Sequence, residues 1–333
     1  MSFNKQGVKR GWHFNLETQN LEAYNNGNEI FQYPFGISYY VTKAGEGGTG
    51  SGVDTNSGLS WAQSFLTIQT ALDAAATAAR RGGIKIFVGP GGYTEDLITP
   101  INSEAPFGEL IAVNPTPGRS YGAVYLTAST AGQPVLKVRA RGWHIKGFEF
   151  DALADAECIL LDGSDATYVA AGTLIEDCLF VGQNQGLYGI EINNALSNAA
   201  LTTVRNCGFY GFTSGSTAGY CIFISDSSHD AARFWLVEDN WFGDSDNLVK
   251  AQFKECVVQR NTFLAGGANQ SPADKLVNTS GSNSNFSLNT FGGAYTTAGG
   301  YTAGSGDDWA GNMAEDVAGE AANGWTYAVP ATA

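Results

Sequence analysis

Short apolar strands alternate with polar bends along much of the chain. Units of the form V-x-x-N-x-F recur, and the Phe that ends each unit falls at positions 150, 180, 209, 242, 263 and 291. A second apolar strand lies between consecutive units, as in CILLD (158–162) and YGIEIN (188–193). Self-similarity at a spacing of tens of residues is typical of a solenoid, in which each coil contacts only its neighbours.

The unit WLVEDNWFGD (235–244) shows how each coil has to bend. Val237 and Phe242 are five residues apart, so in a flat strand they would point to opposite faces. Both become buried if the backbone bends between them through one left-handed residue, a conformation that Asn, Asp and Gly tolerate best. We therefore expect inward ladders of Phe, of Val or Ile, and of small thiol or amide side chains. The last ladder would contain Cys178, Cys207, Asn240, Asn261 and Asn289.

An amphipathic helix is predicted ahead of the repeats, over residues 65–82. Ile68, Leu72 and Ala75 share one face, and Thr67 is a suitable N-cap. The predicted organisation is an attachment arm and leading loop (1–57), a solenoid that includes this helix (58–291), and an irregular Gly/Ala-rich tail (292–333).

Composition and charge restrict the partners. The chain is 43% hydrophobic and only 15% charged, which indicates a folded protein. Its net charge of −14, without a basic run, predicts no nucleic acid or anionic membrane partner. No apolar stretch approaches the roughly 20 residues that span a bilayer, and the N-terminus lacks an apolar signal core. The five cysteines form no CxxC, so we expect buried free thiols and synthesis in a reducing cytoplasm.

Acidic pairs within the repeats are the candidates for glycoside chemistry, which needs two carboxyl groups. Glu176, Glu238 and Asp239 are the leading ones. The same repeat position is occupied in successive coils by Lys146, Glu176, Arg205, Glu238, Gln259 and Ser287. Alternating signs favour a solvated charge ladder over a catalytic site. No catalytic residue is therefore assigned from the sequence.

No cofactor site or metal site is assigned either. Five acids are possible calcium ligands, but they are better explained as turn residues: Asp226, Asp230, Asp239, Asp244 and Asp246. Glycan binding without cleavage stays open, since five aromatic residues offer possible stacking faces: Trp143, Tyr188, Tyr210, Tyr220 and Trp241.

The stretch GLSWAQSFLTIQTALDAAATAARRGGIKIFVGPGGYTED (58–96) resembles the N-terminal part of right-handed parallel β-helix proteins of the pectin-lyase-like superfamily. In those proteins a capping helix leads into a coil reading I-x-V-x-P-G-x-Y. Here the matching residues, with one extra Gly, are Ile86, Val88, Pro90, Gly91 and Tyr93. The resemblance implies an all-β chain, a right-handed parallel β-helix with an N-terminal capping helix. Enzymes of this superfamily usually act on polysaccharides.

A second resemblance concerns the two ends of the chain. An aromatic N-terminal arm, the segment GTGSGVDTNSGLSW and the ending GDDWAGNMAED…NGWTYAVPA look like the β-helix virion proteins of tailed bacteriophages. That likeness implies a non-enzymatic capsid decoration or cement protein, a homotrimer made in the host cytoplasm and bound to the major capsid protein through residues 1–37. The alternative is a tailspike or tail-fibre protein that binds or depolymerises a host-surface glycan.

Aromatic residues that find no place in the solenoid are the expected contacts between subunits or with the virion. They are Phe3, Trp12, Phe14, Phe31, Tyr33, Phe35, Trp241, Trp309 and Trp325.

Overall fold

The structure is a computed structural model. It describes residues 10–15, 20–25, 28–31, 36–43, 52–78, 83–113, 123–193, 199–213, 219–224, 232–264, 276–278, 281–292, 301–315, 325–327 and 331–332.

The described residues are almost entirely short β-strands, joined to one α-helix, α1 (Ile68–Ala78), and a 3-10 helix (Trp61–Gln63). The strands in chain order are β1 (Arg10–Asn15), β2 (Asn20–Asn25), β3 (Asn28–Phe31), β4 (Ile37–Val41), β5 (Ile84–Val88), β6 (Gly91–Thr94), β7 (Leu97–Ile98), β8 (Glu109–Ala112), β9 (Val124–Thr127), β10 (Leu136–Val138), β11 (His144–Lys146), β12 (Glu149–Asp151), β13 (Glu157–Asp162), β14 (Leu174–Glu176), β15 (Leu179–Val181), β16 (Tyr188–Asn193), β17 (Thr203–Arg205), β18 (Gly208–Tyr210), β19 (Tyr220–Ile224), β20 (Leu236–Glu238), β21 (Trp241–Phe242), β22 (Asn247–Lys250), β23 (Val257–Gln259), β24 (Thr262–Leu264), β25 (Leu276–Val277), β26 (Asn285–Ser287), β27 (Thr290–Gly292), β28 (Tyr301–Ala303), β29 (Asp308–Ala310), β30 (Met313–Glu315), β31 (Trp325–Tyr327) and β32 (Ala331–Thr332).

Three long sheets run along the molecule. Sheet 1 has the order β29-β26-β23-β20-β17-β14-β11-β8-β5-β4, sheet 2 the order β31-β30-β27-β24-β21-β18-β15-β12-β9-β6, and sheet 3 the order β32-β28-β25-β22-β19-β16-β13-β10-β7. All neighbours in these sheets are parallel except β30 and β31. The chain visits sheets 1, 2 and 3 in turn, so each coil adds one strand to each sheet. The expected right-handed parallel β-helix is confirmed, and β1–β3 form a separate antiparallel sheet.

The helix α1 covers the N-terminal coils, within the predicted range 65–82. Its buried face consists of Ile68, Ala71, Leu72 and Ala75. The carboxylate of Glu95 accepts hydrogen bonds from the first backbone N–H groups, those of Ile68 (3.1 Å) and Gln69 (2.9 Å). These bonds satisfy donors that an α-helix leaves free at its start. None of the helices among the described residues is long and apolar enough to cross a bilayer.

The Phe ladder fills the core, as the repeat predicts. Phe150, Phe180, Phe209, Phe242, Phe263 and Phe291 are all fully buried. Consecutive rings stack with centroids 4.4 to 5.3 Å apart. This is close to the spacing of neighbouring strands, so each ring covers the ring of the next coil.

An amide ladder runs beside the rings at the bend between sheets 1 and 2. The backbone N–H and the side-chain amide of Asn240 both donate to Oδ1 of Asn261 at 3.0 Å. Asn261 repeats this arrangement with Asn289, and Asn289 repeats it with Asn312. The two coils before that of Asn240 have a cysteine at the same position, Cys178 and then Cys207. The backbone N–H of Cys207 donates to Oδ1 of Asn240 at 2.9 Å.

All five cysteines are free and buried. Burial raises the pKa of the Cys221 and Cys256 thiols to about 12. It raises the pKa of Cys158 and Cys207 well above the ordinary value as well. These thiols therefore remain protonated and act as small apolar side chains in the core.

Two columns of left-handed residues make the corners. Between sheets 1 and 2 the column is Gly147, Asp177, Asn206, Asp239, Arg260, Leu288 and Gly311, with φ between 52° and 81°. Between sheets 3 and 1 a second column, here called the corner column, is Phe107, Gly142, Gly172, Leu201, Phe234, Glu255, Asn283 and Gly306. The bend itself was predicted, but Arg260, Leu288 and the apolar members of the corner column are not the residue types that favour this conformation.

The coils extend beyond the predicted limits of the solenoid at both ends. β4 pairs with β5, so a coil begins within the segment predicted as arm and leading loop. β29 and β30 continue sheets 1 and 2 past residue 292, where an irregular tail was expected. The Trp309 ring stacks on Phe286 with centroids 5.0 Å apart, because β29 places it directly over the preceding coil.

Candidate functional site

The outer face of sheet 3 holds an acidic side chain at an otherwise apolar position. Ile190 and Ile192 point into the core, so Glu191 between them points outward. In the neighbouring coils Leu160 and Phe223 lie opposite Glu191. A carboxyl group placed between two apolar neighbours on a flat sheet loses much of its contact with water.

A second carboxyl group completes the site. Glu157 begins β13, opposite Tyr188 of β16, and its carboxyl group is close enough to that of Glu191 for each to act on the pKa of the other. Burial, followed by the negative charge of Glu157, raises the pKa of Glu191 to about 8. Burial also raises the pKa of Glu157, less strongly because hydrogen bonds and the Lys137 cation favour its charged form. Glu191 therefore holds a proton at neutral pH, beside the carboxyl group of Glu157.

Three basic side chains lie in or just after β10, the strand that pairs with β13. Lys137, Arg139 and Arg141 alternate with the buried residues Val138 and Ala140, so all three face outward. Arg139 is held by Asp162, with 2.9 Å between Nε and Oδ2, and its guanidinium lies 4.4 Å from the centre of the Tyr168 ring.

An aromatic cluster borders the acid pair on the other side. The Tyr188 and Phe223 rings stack with centroids 4.5 Å apart, and Tyr220 packs on Phe223 at 4.9 Å. Burial raises the pKa of Tyr188 to about 12, with further contributions from Glu191 and Glu157. Tyr188 and Tyr220 are buried, whereas Phe223 is half-buried, so Phe223 presents the accessible apolar surface beside the carboxyl groups.

The candidate Glu176 lies elsewhere, on the outer face of sheet 1, in the charge ladder that the repeat predicts. Its carboxylate accepts hydrogen bonds from Lys146 Nζ (2.8 Å), His144 Nε2 (2.9 Å) and Arg205 Nε (2.7 Å). Despite its burial, the hydrogen bonds from Lys146 and Arg205 lower the pKa of Glu176 to about 2. A carboxylate paired in this way stays ionised and has no proton to donate.

Glu238 and Asp239 are held together by one cation, Arg260. Arg260 Nη2 donates to Glu238 Oε2 at 2.6 Å, and its Nε donates to Asp239 Oδ1 at 2.9 Å. Gln259 donates a further hydrogen bond to Glu238. These two acids face away from Glu157 and Glu191, on a different sheet, so they do not contribute to the acid pair.

The predicted aromatic surface residues have different positions. Trp143 is fully buried, with Nε1 donating to the Ala105 carbonyl at 3.1 Å, so it offers no stacking face and that expectation is wrong. Trp241 is half-buried near Tyr210, with ring centroids 6.4 Å apart. Trp309 packs partly against the core.

The remaining predicted interface residues fall outside what the structure describes. Phe3, Tyr33 and Phe35 lie outside the described residues. The backbone is described for Trp12, Phe14, Phe31 and Trp325, but their side chains are not.

The acid pair was missed in the sequence because its members belong to different coils and to the second strand of the repeat. A signal was nevertheless present. In YGIEIN, Glu191 is flanked by two inward Ile residues, and the corresponding outward positions of the adjacent coils are apolar. The part of the chain that the structure describes contains no group of three or more His, Cys, Asp or Glu side chains arranged to hold a metal ion.

No protein-family model and no curated protein matches the chain. Among solved structures, it is similar to a pectin methylesterase from Aspergillus niger, with 14% identity over 90% of this chain and 91% of that one and a TM-score of 0.43. A rhamnogalacturonan lyase is 16% identical over 84% of this chain and 75% of that one, with a TM-score of 0.44. The A-module of a mannuronan C-5 epimerase from Azotobacter vinelandii is 11% identical over 75% of this chain and 92% of that one, with a TM-score of 0.32.

The parallel β-helix is shown by the three sheets of this chain itself, and nothing in these similarities indicates a phage origin. All three proteins are glycan-modifying enzymes, a finding that contradicts the expectation that this chain is not an enzyme. The chemistry of this chain is therefore argued below from its own side chains.

Proposed function

We propose that the protein is a glycan-modifying hydrolase whose active site is the outer face of sheet 3, with Glu157 and Glu191 as its catalytic pair. The observation that carries the proposal is the pairing of two carboxyl groups on this face, where burial and the charge of Glu157 keep Glu191 protonated at neutral pH. Strongly perturbed carboxyl groups in contact with each other are characteristic of acid–base catalysis, because one can donate a proton while the other accepts one.

The separation of the two groups favours ester hydrolysis over cleavage of a glycosidic bond. Glycosidases keep their carboxyl groups roughly 5 to 9.5 Å apart, to leave room for the sugar carbon and, in inverting enzymes, for water. Glu157 and Glu191 act directly on each other's pKa as one acid pair, unlike two carboxyl groups that are held apart on either side of a sugar. Such a pair suits attack by water on a carbonyl carbon, as in the aspartic-protease dyad.

In the proposed reaction Glu191 donates its proton to the carbonyl oxygen of an ester group on the sugar. Glu157 accepts a proton from a water molecule, whose oxygen forms a bond to the carbonyl carbon. Collapse of the tetrahedral intermediate breaks the bond to the alcohol oxygen, which leaves with a proton from the pair, while one hydroxyl of the intermediate becomes the new carbonyl and returns its proton to the pair. One water is consumed, an acid and an alcohol are released, and the pair again holds one proton.

Support for a glycan comes from the surroundings of the pair. The half-buried Phe223 ring offers an apolar face suited to a sugar ring, beside the carboxyl groups. The likeness of residues 58–96 to β-helix proteins that usually act on polysaccharides, and the glycan-modifying enzymes named above, are compatible with the same substrate class.

The test is release of alcohol or acid from methyl-esterified and O-acetylated polysaccharides by the full chain. Glu191→Gln, which cannot donate the proton, is expected to lower kcat by about 10²-fold or more. Glu238→Gln, a matched change on sheet 1, is expected to keep the wild-type rate. No release from any of these polysaccharides, or equal rates for wild type and Glu191→Gln, would contradict the proposal.

We further propose that the enzyme is carried on a phage particle as a tailspike or related glycan-acting virion protein. The short sequence matches at the two ends of the chain support this placement, and attachment through residues 1–37 and a homotrimeric state stay predictions. Light scattering of the purified protein and immunogold labelling of intact particles test them. A monomer at micromolar concentration would contradict the trimer, and unlabelled particles would contradict the placement.

A further inference from the structure

Phe107 combines an unfavourable backbone with an exposed ring. Its φ is 59° and its side chain is 54% exposed. The next two coils carry Gly142 and Gly172 at the same corner-column position, the residue type this backbone prefers. The left-handed backbone is strained for an aromatic residue, and because the ring is exposed, core packing does not compensate for that strain. Stability therefore does not account for the ring.

The ring forms one wall of a cavity of ≈ 390 Å³, lined by Asn102, Ser103, Pro106, Phe107 and Arg141. Gly142 allows the ring to lie against the backbone, since a Cβ there would come within 2.2 Å of Phe107 Cδ1. The backbone N–H of Arg141 donates to Asn102 Oδ1 at 2.9 Å, and the N–H of Phe107 donates to the Arg141 carbonyl at 2.8 Å. These bonds fix the two sides of the cavity relative to each other.

The charge at this cavity is opposite to that of the whole protein. Arg141 is exposed, and within the described residues its guanidinium has no ion-pair partner. It is the last of the three outward cations Lys137, Arg139 and Arg141, while the chain as a whole carries a net charge of −14. Lys137 lies in β10, opposite Leu160, and its charge acts on Glu157. Arg141 lies four residues further along the chain, in the cavity wall. Lys137, Arg139 and Arg141 form a row between the acid pair and the cavity, here called the cationic row, in which Arg139 is paired with Asp162.

We infer that this cavity is a binding subsite for an acidic glycan, with Phe107 stacking on a sugar ring and Arg141 binding the carboxylate of a uronic acid residue. The inference rests on the proposed function, since it names the substrate class of the same enzyme. An Arg guanidinium pairs with a carboxylate through two parallel hydrogen bonds, and an exposed aromatic face packs on the apolar side of a sugar. A glycan bound across both sites would follow the cationic row.

The probes are a galacturonate hexasaccharide and its carboxyl-reduced form, titrated calorimetrically against the full chain in a Glu191→Gln background that prevents turnover. Arg141→Gln is expected to raise the Kd for the acidic hexasaccharide about tenfold, because it removes a charge-assisted hydrogen-bonded pair with the carboxylate. It should leave the weaker binding of the reduced form unchanged. Phe107→Gly is expected to raise the Kd for both forms.

Phe107→Gly also separates binding from folding. Because glycine suits the backbone at position 107, this variant should melt at or above the temperature of its parent while it binds less well. Leu201→Gly makes a similar change in the same column, away from the cavity, and should keep the Kd unchanged.

Three results would each overturn the subsite. They are unchanged Kd values for Arg141→Gln and Phe107→Gly, equal binding of the two probes to the unmutated cavity, and no binding of the hexasaccharide. Failure of the subsite is distinct from failure of the proposed function. Ester release that depends on Glu191, with binding independent of Arg141, would contradict the subsite alone. Binding that depends on Arg141, with no ester release from any polysaccharide, would contradict the hydrolase alone.

Discussion

At the scale of single residues, two glutamates on neighbouring sheets show how surroundings decide what a carboxyl group can do. Glu176 is surrounded by Lys146, His144 and Arg205, which hold its pKa at about 2. Glu191 is surrounded by apolar residues and a second carboxyl group, which raise its pKa to about 8. The first is a permanent anion that binds neighbouring coils together, and the second is a proton donor near neutral pH.

The raised pKa of Glu191 predicts a stability that depends on pH. The pKa of Glu191 is higher in the folded chain than its ordinary value of 4.5, so the folded chain binds the proton more tightly than the unfolded chain does. The contribution to stability is therefore fully present below pH 4.5 and is lost as the pH rises through about 8. As the pH rises between those values, the free energy of unfolding should fall further in wild type than in Glu191→Gln. Chemical denaturation at pH 5, 7 and 9 measures this difference. Parallel pH profiles of the two proteins would contradict the raised pKa of Glu191.

The inward residues could be predicted from the sequence because each is repeated at the same place in successive coils. Phe242 and Asn261 are recognisable as members of a series, even though nothing near them in the chain identifies their partners. Glu157 and Glu191 belong to no series. Their contact depends on the register between β13 and β16, and on the loops that set that register. A function made by two unrepeated residues leaves little periodic signal.

At the scale of elements, the bend between sheets 1 and 2 is where side-chain hydrogen bonds of the amide ladder hold each coil to the next. Asn261, Asn289 and Asn312 each accept hydrogen bonds from the backbone N–H and the side-chain amide of the Asn in the coil before. Each also donates to a carbonyl, such as that of Val237, which is 2.9 Å from Asn261 Nδ2. Strand pairing and this ladder therefore fix the same register, and the ladder reinforces it where the strands stop.

Asn261→Ala is expected to lower the free energy of unfolding by about 3 kcal/mol or more. It removes the acceptor of two buried Asn240 donors, and each buried polar group left unpaired costs ~1–3 kcal/mol. Asn285→Ala, an amide at a half-buried strand position outside the ladder, should change it by less than about 1 kcal/mol. Urea denaturation measures both, and similar losses in the two variants would show that the ladder has no special role.

At the scale of the whole molecule, the solenoid has no closed core, so its ends decide how much of it is stable. Parallel coils leave an unpaired sheet edge unless something covers it. The helix α1 packs against β4, β5 and β7 at one end. At the other end the structure departs from expectation, because coils continue where composition suggested a tail. Gly and Ala weaken the alternation that identifies a strand in sequence, but not its backbone pairing.

A chain ending at residue 292 should therefore be less stable than one ending at residue 315. The shorter form loses β29 and β30, which removes Trp309 from Phe286 and Asn312 from Asn289 and exposes the core at that end. We expect a lower melting temperature and concentration-dependent association, as measured by thermal unfolding and size-exclusion chromatography. Equal melting temperatures and two monodisperse forms would show that residue 291 ends the cooperative unit after all.

The buried cysteines make this question measurable without any substitution. Cys158, Cys178, Cys207, Cys221 and Cys256 are distributed over four coils, with Cys207 and Cys221 in the same one, and each is shielded in the native state. An alkylating reagent can reach a given thiol only while its own coil is transiently open, so the modification rate at each site measures the opening of that coil. The cysteines are thus built-in probes of local unfolding. Mass spectrometry of the labelled peptides would compare their alkylation rates and show which of the probed coils opens most often.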